Sequence, residues 1–351
     1  MLLTGRGARS GFALPLHALR RTTNVLVVVT ITFFGLLLVT FLIGRVVPID
    51  PVLAVVGDRA TAEVYQRTRV ELGLDLPLYE QFYFYAVKVL HGDFGRSVLT
   101  SNPVLTDIIR FFPATLELAT LATIFGVALG VPLGVLAAAN QGRWQDQAIR
   151  VVGLLGYSIP IFWLGLVGLL VFYADLGWVA GPGRLDVGYD DIVDPITGLL
   201  LVDSLLEGEW QIFLNAVSHI ILPAALLGYF SLAYISRMTR SFMLEQLRQE
   251  YIVTARVKGL AERRIIWRHA FGNVLLPLVT VIALSYANLL EGSVLTETVF
   301  AWPGIGSYIT NSLLNADMNA VLGGTIVVGV VFIGLNLASD MLYRSLDPRT
   351  R

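Results

Sequence analysis

The sequence predicts an all-α integral membrane protein with six transmembrane helices and an amphipathic segment outside the membrane. Three observations carry that prediction. Hydrophobic residues make up 55% of the 351 residues and charged residues only 15%, well below the roughly 25% charged residues of a soluble domain. Six stretches free of formal charge are each long enough to cross a bilayer, whose ~30 Å apolar core needs about 20 helical residues. The basic residues are spread unevenly along a chain whose net charge is only −1, a pattern that orients membrane helices.

Residues 1–24 form a basic segment carrying Arg6, Arg9, Arg20 and Arg21 ahead of the first span, 25–44. A secretory signal has the same order of features, but its apolar core runs only ~7–15 residues and ends at a small-residue cleavage site. Here the run is longer and Arg45-Val-Val-Pro48 follows it, so 25–47 is a retained helix. The outside loop 48–117 contains Leu78, Phe82, Tyr85, Ala86 and Val89 at helical spacing. That spacing describes an amphipathic helix lying on the membrane surface or capping the bundle.

A five-helix core over 118–343 supplies the remaining spans at 118–141, 151–174, 211–236, 270–290 and 318–339, and 344–351 is a short tail. The second span carries Gly126, Gly130 and Gly134 at four-residue steps, with Pro132 among them. Such a face lets helix backbones approach closely, either as fixed packing or as a contact that slides or rocks between conformations. The loop after the third span holds Gly181-Pro-Gly183 and Asp190-Asp191. Without the ligand spacing and glycine of a calcium loop, the paired acids give no metal site.

With both termini on the cytoplasmic side, inside segments hold 17 of the 25 basic residues, and the positive-inside rule selects that arrangement. Eight of the 17 lie in the cytoplasmic loop 237–273. Within it, Tyr251, Ala255 and Leu260 form the apolar side of a short helix, Gly259 ends it in a left-handed cap, and Arg256, Lys258, Arg263 and Arg264 surround it with charge. Topology alone calls for arginines but not for an apolar stripe with a glycine stop. The element suits docking to a soluble partner.

What the spans lack is equally informative. Gradient-driven carriers need ionisable coupling groups at mid-membrane, whereas only His219 lies within a span, with Glu291 and Asp340 just beyond span ends. His219 follows Ser218 and reads as a satisfied structural histidine. No phosphate-binding loop is present, and Lys88 and Lys258, the only two lysines, lack its context. With no cysteine, thiol and iron–sulfur chemistry are excluded. A charge balance near zero gives no electrostatic case for nucleic acid. A six-span serine protease would pair Ser158 with His219, but Ser158-Ile-Pro160 lacks the second glycine of that motif. Energy has to come from another polypeptide.

The run Thr254-Ala255-Arg256-x-Lys258-Gly259-Leu260, then Trp267-Arg268-His269-Ala270 and Asn273-x-Leu-Leu-Pro277, resembles the cytoplasmic coupling loop of binding-protein-dependent ABC importer permeases of the dipeptide/oligopeptide branch. Gly73-Leu74-Asp75-x-Pro77, Gly92-Asp93-x-Gly95-x-Ser97, Pro113-Ala-Thr115-x-Glu117, Ile196-Thr-Gly198, Asp203-Ser204-Leu205 and Glu297-Thr-Val-Phe-Ala-Trp302-Pro303-Gly304-Ile-Gly306 are similar to the first permease subunit of that branch. Against the broader Glu-Ala-Ala importer pattern, Val253-Thr254-Ala255 keeps the last alanine and the later glycine but loses the glutamate.

The resemblance implies a type I ABC importer fold, peptide cargo, and a place in the inner membrane of a prokaryote. It also implies a second homologous permease, two cytoplasmic ATPase subunits that hold the ATP and magnesium, an extracytoplasmic substrate-binding protein, and no cofactor on this chain. The alternative cargoes it implies are nickel chelates, glutathione, sugars or another small solute carried by relatives. The coupling residues it implies are Tyr251, Thr254, Ala255, Arg256, Lys258, Gly259, Leu260 and Pro277. From the residues themselves, Ser158, Pro160, Trp163, Ser285, Asn288 and Glu291 form a polar and aromatic set on helices three and five that suits a wet central path.

Overall fold

The computed structural model describes residues 13–46, 51–57, 59–189 and 192–346. Arg6, Arg9, Pro48, the Asp190-Asp191 pair, Arg349 and Arg351 lie outside the described residues. The chain forms two compact units, divided between His91 and Gly92.

In the first unit, α1 (Ala13–Val46) contains the amino-terminal span, followed by α2 (Pro51–Val56), α3 (Ala62–Glu71) and α4 (Leu78–Leu90). The expected amphipathic helix is α4, started after Pro77, whose missing N–H costs nothing at a helix start. Its apolar face meets α1: Phe82 sits edge-on between Phe34 and Phe41, both at 5.4 Å between ring centres. Tyr85 completes the contact through a 2.9 Å hydrogen bond to Thr40. Phe82 and Tyr85 thus form a helix–helix seam, with Val89 buried and Leu78, at the start of the expected stripe, exposed.

The second unit is built on two long helices, α5 (Val104–Ala139) and α9 (Trp210–Leu247), packed face to face. The three-glycine face of α5 makes this contact. A Cβ at Gly126 would lie 2.5 Å from Ser231 Oγ, and one at Gly134 would lie 2.6 Å from the Ser236 carbonyl. The glycines therefore serve close packing within this chain. Around this pair stand α6 (Trp144–Ser158), α7 (Ile161–Gly168), α8 (Leu200–Leu206), α12 (Phe271–Gly292) and α15 (Met318–Leu346). The shorter α10 (Glu250–Val257), α11 (Glu262–Arg264), α13 (Val294–Val299) and α14 (Ile305–Leu314) complete the unit. No named strand occurs among the described residues; one isolated bridge joins Arg96 and Pro103.

Among the described residues, five helices are long and apolar enough to cross a membrane, and a bent pair gives a sixth if counted as one span. The third span, expected as one helix over 151–174, is that pair: Trp144–Ser158 and Ile161–Asp175 meet at 98°. Ile159 is extended at φ −96°, ψ 127°, as a residue before proline prefers, and Pro160 restarts the helix as α7.

Charge also misled the span limits. The α5 helix begins at Val104, fourteen residues before the charge-free run, because Asp107 and Glu117 are buried with partners rather than exposed in a loop. The α9 helix likewise runs on through Arg237 and Arg240 to Leu247.

Candidate functional site

At one end of the second unit, α10 is short but firmly seated. Ile252 and Ala255, three residues apart and so on one helical face, are buried in a cluster with Val135 of α5, Ile235 and Met243 of α9, and Val274 of α12. The apolar stripe is therefore Ile252, Ala255 and the half-buried Leu260, used inside this chain. Tyr251, expected on that face, is exposed. Its hydroxyl bonds to Gln246 Oε1 and takes a bond from Asn273 Nδ2, both at 2.9 Å, tying α10 to the end of α9 and the start of α12.

The helix stops as its glycine predicts. Gly259 has φ +74°, its N–H bonds to the Arg256 carbonyl, and the N–H of Leu260 reaches back to the Ala255 carbonyl at 3.2 Å. This pair of bonds is the Schellman arrangement. Nothing lies within 4 Å of a Cβ at Gly259, so the glycine is required by backbone conformation and not by space. Arg256 pairs with Glu262 at 2.8 Å, and that hydrogen-bonded carboxylate raises the guanidinium's already high pKa.

The outward face is then Val253, Thr254, Arg256, Val257 and Lys258, all exposed, with Val257 at 83%. An aliphatic pair with Lys258 beside it is exposed, while the inward face is locked to three long helices. Pro277 lies half-buried inside α12, and the helix before it widens into a π-helical turn over Ile265–Ala270.

The other end of the unit is built from buried acids that charge-based reading missed. Glu297 is fully buried and accepts from Thr115 Oγ1 at 2.7 Å, Ser293 Oγ at 2.8 Å and the Ser307 N–H at 2.9 Å. Thr115 Oγ1 in turn accepts from the Ile305 N–H, and the Trp302 indole donates to the Ala114 carbonyl. Glu117 accepts from Arg184 at 2.6 Å and from the Leu201 N–H, while Asp203 accepts from the N–H groups of Thr197 and Gly198.

The signal for this hub lay in the motif runs around Thr115, Thr197, Asp203 and Glu297, which the fold brings together. Gly304 has to lack a side chain here, since a Cβ would meet Glu297 Cδ at 2.5 Å. From Thr115 to Val135 is 20 residues of α5, so the acid hub and the α10 seat stand ~30 Å apart along one helix.

The six residues expected to line a path are not all alike. Ser158, Pro160, Trp163, Asn288 and Glu291 are exposed. Ser285 is buried and pairs with Ser231 at 2.9 Å, between α12 and α9. His219 is buried, with Nδ1 2.9 Å from the Asn215 carbonyl and Nε2 3.5 Å from Asp186. Ser158 Oγ donates to the Leu154 carbonyl. Serine and histidine thus have separate local partners, as structural residues do. Among the described residues no cluster of metal-ligating side chains occurs.

Residues 130–351 match the family model described as the binding-protein-dependent transport system inner membrane component, and residues 16–119 match the model for the amino-terminal part of such components. The chain belongs to this family. The permease is 45% identical over 318 residues to the probable D,D-dipeptide transport system permease protein DdpB of Escherichia coli, covering 90% of this chain and 92% of that one. It is 43% identical over 321 residues to the di/tripeptide transport system permease protein DppB of Pseudomonas aeruginosa, covering 91% and 95%.

A solved structure of the MetNI methionine ABC transporter in inward-facing conformations contains a similar chain. Its TM-score is 0.52 at 18% identity, with 71% of this permease and 100% of that chain covered, which makes the fold that of an ABC importer permease. The permease is a multi-pass membrane protein of this fold.

Proposed function

We propose that this permease is the first of two membrane subunits of an ATP-driven importer for di- or oligopeptides. In this reading it receives its energy from separate ATPase subunits through the segment 251–277. The observation that carries the coupling role is the two-sided character of α10: Ile252 and Ala255 anchor it in the core shared by α5, α9 and α12, while Val253, Val257 and Lys258 remain exposed. A push on the exposed face is delivered to three long helices at once, because a close-packed core transmits displacement rather than absorbing it.

Peptide cargo is supported by the names of the relatives that match over nine-tenths of the chain. The second permease would be a homologue of this chain, two ATPase subunits would bind ATP with magnesium, and an extracytoplasmic binding protein would deliver the peptide. The arginine distribution and the family support a place in the inner membrane of a prokaryote, with both termini in the cytoplasm. Transport is a two-state equilibrium of the helix bundle, biased on one side by closure of the ATPases and on the other by the loaded binding protein.

Ser158, Pro160 and Trp163 at the 98° bend, with Asn288 and Glu291 of α12, are the exposed groups assigned to the path. Ser285 belongs to the same assignment, and its bond to Ser231 gives it the role of holding α12 against α9. Affinity purification of the tagged permease from its native membrane tests the reading. Two ATPase polypeptides and a second permease should travel with it; a chain that purifies alone and transports alone would oppose it.

A further inference from the structure

Between α6 and α9 lies an open groove of about 560 Å³, lined by Gln147, Arg150, Leu154, Tyr157, Arg237 and Arg240 among others. Its three guanidinium groups are not equivalent. Arg240 is neutralised by the buried Asp146, which it grips through Nε and Nη2 at 2.6 and 2.8 Å. Arg150 acts on that same carboxylate only at long range. Arg237 has no acidic partner among the described residues and lies over the rings of Tyr157 at 5.0 Å and Tyr234 at 5.8 Å. With one carboxylate for three arginines, the groove keeps about two positive charges.

Its depth is marked by the chain itself. Arg237 follows directly on an apolar run, Arg150 directly precedes one, and Trp144, 73% exposed, sits at the start of α6 as tryptophans do at the membrane–water interface. Above the arginines the wall turns apolar through Leu154, while Val151 and Leu155 beside it are exposed. A cationic floor at headgroup depth, an aromatic platform and an apolar wall running into the bilayer complement one kind of molecule.

The geometry points to a binding site for an anionic phospholipid, its phosphate between Arg150 and Arg237 and an acyl chain along Leu154. Basic pockets between membrane helices on the cytoplasmic side hold acidic headgroups in this way, and guanidinium forks match phosphate geometry. The site does not depend on the identity of the cargo.

The test is native mass spectrometry of the purified transport complex exchanged into mixed micelles of phosphatidylglycerol and phosphatidylcholine. The wild type should retain phosphatidylglycerol preferentially. The pair Arg150→Gln with Arg237→Gln should hold it roughly tenfold more weakly, whereas Arg150→Lys with Arg237→Lys should keep most of the preference.

Excess inorganic phosphate should leave the lipid in place; its displacement by phosphate would mark a free-anion site and overturn the assignment. Equal retention of the two lipids by the wild type, or undiminished retention by the glutamine pair, would do the same. Should that pair fail to assemble, Tyr157→Ala decides, since it keeps every charge and removes the nearer of the two rings beneath Arg237. Unchanged retention in that variant would contradict the site.

Discussion

Arg240 closes a two-pronged bond on the buried carboxylate of Asp146, Nε to Oδ1 at 2.6 Å and Nη2 to Oδ2 at 2.8 Å, and so fastens the start of α6 to α9 two turns before α9 ends. A third bond, from the Gly142 N–H at 3.0 Å, completes the acid's coordination. Removing one partner leaves a desolvated charge, which costs more than the pair itself contributes. Asp146→Asn should lower the stability of the assembled permease by about 3 kcal/mol. Adding Arg240→Gln should recover part of that loss in a double-mutant cycle read by thermal unfolding in detergent. Additive losses would show that the two side chains do not interact.

Gly259→Asp should leave insertion and assembly intact while ATP hydrolysis stimulated by loaded binding protein collapses. The space around Gly259 is open, so the damage comes from forcing a side chain to φ +74° and from a new anion beside Val257 and Lys258. The αL strain for a non-glycine residue is roughly 1–2 kcal/mol, enough to unwind a cap but not a membrane domain. Normal stimulation in an assembled mutant would remove α10 from the coupling role.

Glu297→Gln should destabilise the acid hub, because one amide oxygen cannot accept all three bonds from Thr115, Ser293 and the Ser307 N–H. A buried donor left unpaired costs ~1–3 kcal/mol. Limited proteolysis should find the segment 293–307 newly accessible. An unaltered cleavage pattern with full transport would show that the carboxylate is dispensable.

Ala301 sits between α13 and Trp302 at φ +46°, and the Trp302 N–H reaches back to the Glu297 carbonyl at 2.8 Å. This is the same helix stop as at Gly259, built without a glycine. Ala301→Gly should therefore raise the melting temperature, with up to about 1 kcal/mol gained by relief of αL strain. A lower melting temperature would mean that the alanine methyl makes a contact worth more than the strain.

Much of this was legible because membrane spans and glycine caps announce themselves by composition. The spans, the Gly259 stop and the α4 stripe each follow from a local rule. The buried acids did not, since a carboxylate next to an apolar run reads as a loop residue unless its partners are known. Glu297 meets Thr115 across 182 residues and Glu117 meets Arg184 across 67.

Patterning alone puts Tyr251 on the apolar face of α10, where the structure has Ile252, for a related reason. Ile252 and Tyr251 are both apolar enough for the stripe, and only the position of the core decides between them. The bend at Pro160 was hidden by an uninterrupted apolar run on both sides of it, although the proline itself was the signal.

The most direct test of the account is uptake of a labelled dipeptide by proteoliposomes carrying the assembled complex, with binding protein outside and ATP inside. The account predicts accumulation that requires ATP and binding protein, falls to background in Gly259→Asp, and is absent from vesicles holding this permease alone. Dipeptide accumulation by the permease alone under an imposed proton or sodium gradient would contradict it.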